Sequence, residues 1–129
     1  MKNTAVLALS LSLAGGTLVA QNDAVRSLSS KDLAGVPGKE VTMITVDYAP
    51  GASSPAHTHH AQALLYVLEG SVVMQVKGKA PVTLTPGQTW YEGTDDVHVV
   101  SRNASESAPA KYLVFLVKEK GAPILTPVK

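Results

Sequence analysis

The chain has 129 residues, which is enough for one domain with a modest hydrophobic core. Its formal net charge is +1 and it has no basic run, so we expect none of the clustered positive surface that a nucleic-acid partner requires. It contains no cysteine, which excludes thiol nucleophiles, disulfides and thiolate metal sites. A bound metal would therefore have to use imidazole, carboxylate or carboxamide ligands.

Residues 1–20 have the pattern of a secretory signal peptide. Lys2 supplies a positive charge, residues 4–19 are apolar or small, and Ala20 precedes the polar Gln21. The alternative is an uncleaved membrane anchor, but the stretch is shorter than the roughly 18 apolar residues of a spanning helix. We expect cleavage near Ala20 and export to the periplasm or the medium, with no membrane contact by the mature protein.

The mature chain is predicted to form one all-β domain. Residues 21–39 are polar and predict an N-terminal arm of irregular structure that could include one short strand. Residues 40–117 contain apolar and β-branched runs separated by turn residues, and residues 118–129 form a tail that should lie across the surface. Residues 64–68 are apolar throughout, which is typical of a strand buried on both faces. Short strands joined by short turns favour a small closed antiparallel β-barrel.

The four histidines fall in two short windows, His57, His59 and His60 in one and His98 in the other. In a strand, residues two apart point to the same face, so His57 and His59 can converge on one point while His60 points elsewhere. His98 on a neighbouring strand would complete a set of three imidazoles, the arrangement expected of a metal held between adjacent strands. The alternative is a solvated loop cluster at the first window and an isolated core histidine at the second.

Two segments around these histidines resemble the sequence motifs of the cupin superfamily. The first runs from Gly51 to His59 and continues in Tyr66-Val67-Leu68-Glu69-Gly70, and the second runs from Pro86 through Glu92 to His98. The resemblance covers residues 40–117 and implies a jelly roll, or double-stranded β-helix, of roughly six or more strands. It also implies a divalent transition metal inside the barrel, held by two histidines and a carboxylate of the first motif and one histidine of the second. Iron, manganese, nickel, zinc and copper all remain open.

The chain departs from the cupin pattern at one ligand position. The family usually has Glu four residues after the second histidine, where this sequence has Ala63. The adjacent Gln62 carries a donor atom and is therefore our candidate fourth ligand beside His57, His59 and His98. The alternative is a site that has lost its metal and now binds a different ligand.

Glu92 is the candidate residue for proton transfer. It ends a predicted strand just before the turn that presents His98, so it could lie near the mouth of the barrel. If it is buried close to the metal, it could act as a general base or hydrogen-bond to a ligand imidazole. The alternative is a solvated charge at the end of a strand.

Three functions are compatible with these features. The first is a metal-dependent enzyme, such as a dioxygenase, isomerase or lyase, that acts on a small molecule. The second is a non-catalytic barrel that binds a small molecule or the metal itself, and the third is a structural protein with a vestigial pocket. A homodimer is also compatible with the sequence, because exposed strand edges need covering.

Overall fold

The computed structural model describes residues 23–129. The predicted signal peptide, residues 1–20, lies outside this range. Within the described range, no helix is long and apolar enough to cross a membrane.

The described residues form ten β-strands. They are β1 (Asp23–Asp32), β2 (Lys39–Tyr48), β3 (His57–Thr58), β4 (Gln62–Glu69), β5 (Val72–Val76), β6 (Val82–Leu84), β7 (Thr89–Glu92), β8 (His98–Asn103), β9 (Ala110–Glu119) and β10 (Thr126–Pro127). The first sheet has the order β1-β2-β9-β4-β7 and the second the order β10-β3-β8-β5-β6. Every strand pairing is antiparallel, which confirms the predicted all-β, antiparallel, single-domain fold.

The core lies between the two sheets and is built by alternation along the strands. In β9, the buried residues Tyr112, Val114 and Leu116 alternate with residues that face outward. Successive side chains of a strand point to opposite faces, so the apolar inner face of each sheet meets that of the other. Each large apolar side chain buried in this way contributes about 1.5–3 kcal/mol of transfer free energy.

The N-terminal arm differs from the prediction of irregular structure. Residues 23–32 form β1, a strand of ten residues. It pairs with β2 along its whole length, from Asp23 opposite Tyr48 to Asp32 opposite Glu40. The side chains of residues 24–32 are exposed, so the strand is held by its backbone ladder. A strand of this kind has no buried face and therefore no apolar alternation from which it could be predicted.

Strand β4 is buried on one face only, whereas its apolar sequence predicted burial on both. Ala63, Leu65 and Val67 are buried, but Leu64 and Tyr66 between them are 57% and 45% exposed. The prediction was wrong because the run places apolar residues on both faces, while the second sheet covers only the inner one. The outer face of β4 is consequently an uncovered apolar surface.

A tight turn at Gly70 carries the chain from β4 in the first sheet to β5 in the second. Gly70 has φ of +67°, in the left-handed region that favours glycine. An added Cβ would overlap the carbonyl oxygen of Pro109 and lie 2.9 Å from the Cα of Ala110. The turn therefore requires glycine for its conformation and also for space.

Replacing Gly70 with alanine should lower the free energy of unfolding by about 3 kcal/mol or more, because left-handed strain adds to the overlap with Pro109. Gly78 is the matched control, since its φ is +83° and no heavy atom lies within 4 Å of an added Cβ. Gly78→Ala should lower the free energy of unfolding only by the left-handed backbone strain, about 1–2 kcal/mol. Urea denaturation measures both losses, and equal losses would contradict the steric argument.

Candidate metal centre

His57 and His98 lie directly opposite each other on neighbouring strands of the second sheet. His57 begins β3, His98 begins β8, and the two residues are register partners. Their imidazole centroids are 5.0 Å apart, and the residues are only 4% and 2% exposed. The strand pairing therefore brings both rings to one point inside the barrel.

His59 joins them from the position just after β3. Its Nε2 lies 3.2 Å from Nε2 of His57, and the two rings meet edge to face. The next residue, His60, has a left-handed φ of +47° and is exposed, with its Nε2 3.1 Å from the hydroxyl of Thr58. The structure thus brings His57, His59 and His98 together and leaves His60 outside the cluster.

Hydrogen bonds fix where the protons of the His57 and His59 rings lie. Nδ1 of His57 donates to the carbonyl oxygen of Pro55 at 2.7 Å, and Nδ1 of His59 donates to that of Ile124 at 2.6 Å. A neutral imidazole has a single N–H, so in the neutral rings both Nε2 atoms carry lone pairs. Two facing lone pairs repel, so Nε2 atoms 3.2 Å apart need a shared proton or a shared metal cation between them. Two nitrogens bound to one ion at about 2.1 Å would be about 3.0–3.4 Å apart, so the observed spacing fits a shared metal.

Glu92 completes the cluster from the first sheet. It is the last residue of β7 and is 4% exposed, which excludes a solvated charge at the end of the strand. Its Oε1 lies 3.0 Å from Nδ1 of His98, and its Oε2 lies 3.6 Å from Nε2 of His59. One donor atom from each of the four residues lies within 4.8 Å of the others.

The register between β4 and β7 explains how a carboxylate reaches a site that lacks one in the first motif. Ala63 is directly opposite Glu92 in this ladder, so both side chains point to the same inner face. Gln62, the predicted fourth ligand, is exposed on the other face of β4 and does not enter the cluster. Gln62 was selected for its donor atom and its position in the sequence, but adjacent residues of a strand face opposite sides. The carboxylate of Glu92, and not the carboxamide of Gln62, lies in the cluster with the three imidazoles.

Two buried polar atoms of the cluster, Oε2 of Glu92 and Nε2 of His98, have no hydrogen-bond partner within residues 23–129. Nδ1 of His98, in contrast, faces Oε1 of Glu92 at 3.0 Å. Buried polar atoms are nearly always paired, so unpaired donors and acceptors that converge on one point indicate a ligand. Three imidazoles and one carboxylate suit a divalent transition metal. The donors of this chain therefore fit the metal that the cupin resemblance implies.

The pKa values of two members of the cluster, Glu92 and His57, are shifted from their ordinary values. Burial raises the pKa of the Glu92 carboxyl, but the imidazole of His98, followed by those of His59 and His57, brings that pKa below its ordinary value. Burial lowers the pKa of His57, and the hydrogen bond to Pro55 offsets only part of this shift. Both shifts favour an anionic carboxylate and a neutral imidazole, which are the forms that bind a metal.

Sequence reasoning missed two features of this centre. It treated Glu92 as an acid or base, or as a hydrogen-bond partner of a ligand imidazole, and did not consider it as a metal ligand, although its strand end just before His98 was a usable signal. It also missed the carbonyl oxygen of Ile124, which accepts the hydrogen bond from His59. No sequence signal indicates such an acceptor, because every residue type carries a backbone carbonyl.

Residues 44–116 match the cupin domain family, and the chain therefore belongs to it. This result confirms the resemblance seen in the two motifs. Germin-like protein 4-1 of Oryza sativa subsp. japonica is 32% identical over 73 residues, which are 56% of this chain and 29% of that protein. The chain thus spans less than a third of the length of this relative.

Solved structures share the double-stranded β-helix. DMSP lyase DddQ from Ruegeria pomeroyi DSS-3 has a TM-score of 0.67 and 21% identity, over 92% of this chain and 59% of that chain. Oxalate oxidase in complex with the substrate analogue glycolate has a TM-score of 0.66 and 24% identity, over 95% and 63%. An uncharacterized conserved protein from Klebsiella pneumoniae has a TM-score of 0.66 and 15% identity, over 85% and 87%. At sequence identities of 15–24%, the similarity to these structures shows that the fold is shared.

Replacing Glu92 with glutamine should weaken metal binding on the order of 100-fold or more, because it removes the carboxylate of the four-residue cluster. Gln62→Ala is the matched control and should leave the affinity unchanged, since Gln62 is exposed on the outer face of β4. Competition of each purified variant with a chromophoric chelator for Zn²⁺ measures both affinities. A larger loss for Gln62→Ala than for Glu92→Gln would overturn this assignment.

Proposed function

We propose that this cupin chain is an exported, metal-dependent enzyme that acts on a small carboxylate substrate. The observation that carries the proposal is the pair of Nε2 atoms of His57 and His59, which face each other at 3.2 Å while each ring donates from Nδ1 to a backbone carbonyl. His98 and Glu92 add buried atoms that have no hydrogen-bond partner among the described residues. Together they provide the nitrogen and oxygen donors that iron, manganese, nickel, zinc or copper would accept.

The charge of the site favours an anionic substrate. Three neutral imidazoles and one carboxylate leave part of the charge of a divalent ion uncompensated. When bound, the ion would supply a Lewis acid that polarises a carboxylate or carbonyl oxygen. Among the structural neighbours, oxalate oxidase is bound to glycolate, which is also a small carboxylate. Glu92 is the acidic member of the cluster and is therefore the residue that could exchange a proton with a bound substrate.

A non-catalytic metal-binding barrel is the second candidate, and the burial of the cluster favours it. His57, Glu92 and His98 are each at most 4% exposed. A substrate would reach these residues only when the chain around them moves, whereas a protein that carries or stores a metal needs no access for a second molecule.

Protein purified from the periplasm or the medium should carry about one divalent transition-metal ion per chain, and its intact mass should show cleavage near Ala20. His98→Ala should lose the ion, because one of three imidazoles is removed. His60→Ala is the control and should keep it, since His60 is exposed and contacts Thr58. Elemental analysis by mass spectrometry identifies and counts the ion.

The same preparation separates the two candidate functions. Incubated with a panel of small carboxylates, in air and without oxygen, the wild-type protein should convert at least one of them, and His98→Ala should convert none. A metal-loaded protein that converts none of the panel would favour the carrier. A wild-type protein without metal would overturn both candidates.

We further propose that the mature chain forms a homodimer through the outer face of the first sheet. Leu64 lies directly opposite Tyr91 on one side and Phe115 on the other, and these three side chains are 57%, 54% and 43% exposed. Contiguous apolar surface of this kind marks interaction sites. Because the three side chains are uncharged, two copies related by a twofold axis can meet here without like-charge repulsion.

Phe115→Lys should convert the dimer to a monomer, because it places a charge within the proposed interface. Leu28→Lys is the matched control: Leu28 is a similarly exposed apolar residue at 52%, but it lies on β1 at the edge of the sheet. Size-exclusion chromatography with light scattering measures the molar mass of each variant. A monomeric wild type, or dissociation caused by Leu28→Lys alone, would refute the interface.

A further inference from the structure

The imidazole of His59 is held by a segment far from it in the sequence. Its Nδ1 donates to the carbonyl oxygen of Ile124 at 2.6 Å, across 65 positions of the chain. This bond places a proton on Nδ1, so in the neutral ring Nε2 carries the lone pair, and it faces His57 at 3.2 Å. The orientation and the tautomer of His59 therefore depend on where Ile124 lies.

The segment that carries Ile124 is attached to the strand of His57. In β10, Thr126 pairs with Thr58 and Pro127 pairs with His57. The backbone N–H of Val128 donates to the carbonyl oxygen of Ala56 at 3.0 Å. The same strand, β3, is thus flanked by β8 on one side and by this segment on the other.

The start of the segment is attached to a partly buried ion pair. The side chain of Lys118 is 4% exposed and pairs with Glu40 of β2. Its Nζ also donates to the carbonyl oxygen of Ala122 at 2.6 Å, while Glu40 accepts a hydrogen bond from the backbone N–H of Gly121 at 3.3 Å. Between the two attachments, the side chain of Ile124 packs against the hydrophobic core.

We propose that residues 121–129, here called the strap, form a positioning element for the metal site, so that docking of the strap and binding of the metal reinforce each other. The inference rests on the proposed metal binding. A docked strap holds His59 in the tautomer that presents Nε2, and a released strap leaves the ring free to rotate and to change tautomer. By thermodynamic reciprocity, a metal that binds better to the docked form must also hold the strap in place.

The strap is suited to such coupling because its outer end is weakly held. β10 has two residues, both exposed, and Pro127 has no N–H to donate. Short, exposed backbone pairings of this kind open locally without unfolding of the whole domain. Opening of the strap should therefore respond measurably to the metal.

The first test compares two truncated chains. A chain that ends at Pro123 keeps the attachment at Gly121 and Ala122 but lacks Ile124 and β10, and its affinity for Zn²⁺ should fall about 10- to 100-fold. A chain that ends at Val128 keeps every strap contact described above and should bind Zn²⁺ as the full chain does. Chelator competition measures both, and circular dichroism checks that the shorter chain is folded. Equal affinity of the two truncated chains would overturn the proposal.

The second test uses the full chain and does not depend on the stability of a truncated one. Hydrogen exchange should show that Zn²⁺ slows exchange of the Val128 amide and leaves the amides between β1 and β2 unchanged. In His98→Asn, which keeps His59 and the strap, Zn²⁺ should have no effect on Val128. Zn²⁺ binding with unaltered exchange at Val128 refutes the coupling alone, whereas failure of the full chain to bind Zn²⁺ refutes the proposed metal site and the coupling with it.

Discussion

The antiparallel pairing of β4 with β7 is the constraint on which the candidate site depends, because it sets Glu92 directly opposite Ala63 on the inner face of the first sheet. A shift of this pairing by one residue would turn one of the two side chains outward, since the side-chain period of a strand is two. His57 and His98 depend in the same way on the pairing of β3 with β8 in the second sheet. The cluster forms only when both registers are correct and the two sheets face each other. The site therefore forms only in the folded barrel, although its histidines lie in short sequence motifs.

This dependence explains how the chain can lack the usual carboxylate of the first motif. The resemblance to cupins implied two histidines and a carboxylate from the first motif and one histidine from the second. In this chain, the first motif supplies His57 and His59, and the second supplies Glu92 and His98. A short side chain at Ala63 and a carboxylate on the facing strand bring an acidic group to the same inner surface. An alignment of the first motif with other cupins shows Ala63 at the carboxylate position, and it would not show that Glu92 brings a carboxylate from a different strand.

Much of the fold could be predicted from the sequence, because alternation and turn residues are local signals. The convergence of His57, His59 and His98 also followed from the two-residue period of a strand. The fourth donor could not be assigned, because it depends on a pairing between strands that are far apart in the chain. For the same reason, β1 gave no local signal, since its side chains are exposed and its position depends on the distant pairing with β2. In β4, both faces are apolar in sequence, so the sequence did not show that only the inner face is covered by another sheet.

The donors of the cluster come from both sheets, with β3 and β8 on one side of the barrel and β7 on the other. An ion held by all of them would act as a non-covalent cross-link in a chain that has no cysteine and hence no disulfide. Since the unfolded chain does not present these donors together, the folded state would gain RT ln(1 + [M]/Kd), or about 2.7 kcal/mol when free metal is at 100 times its Kd. The heat resistance of the barrel would then vary with the supply of free metal in the compartment where the protein is found.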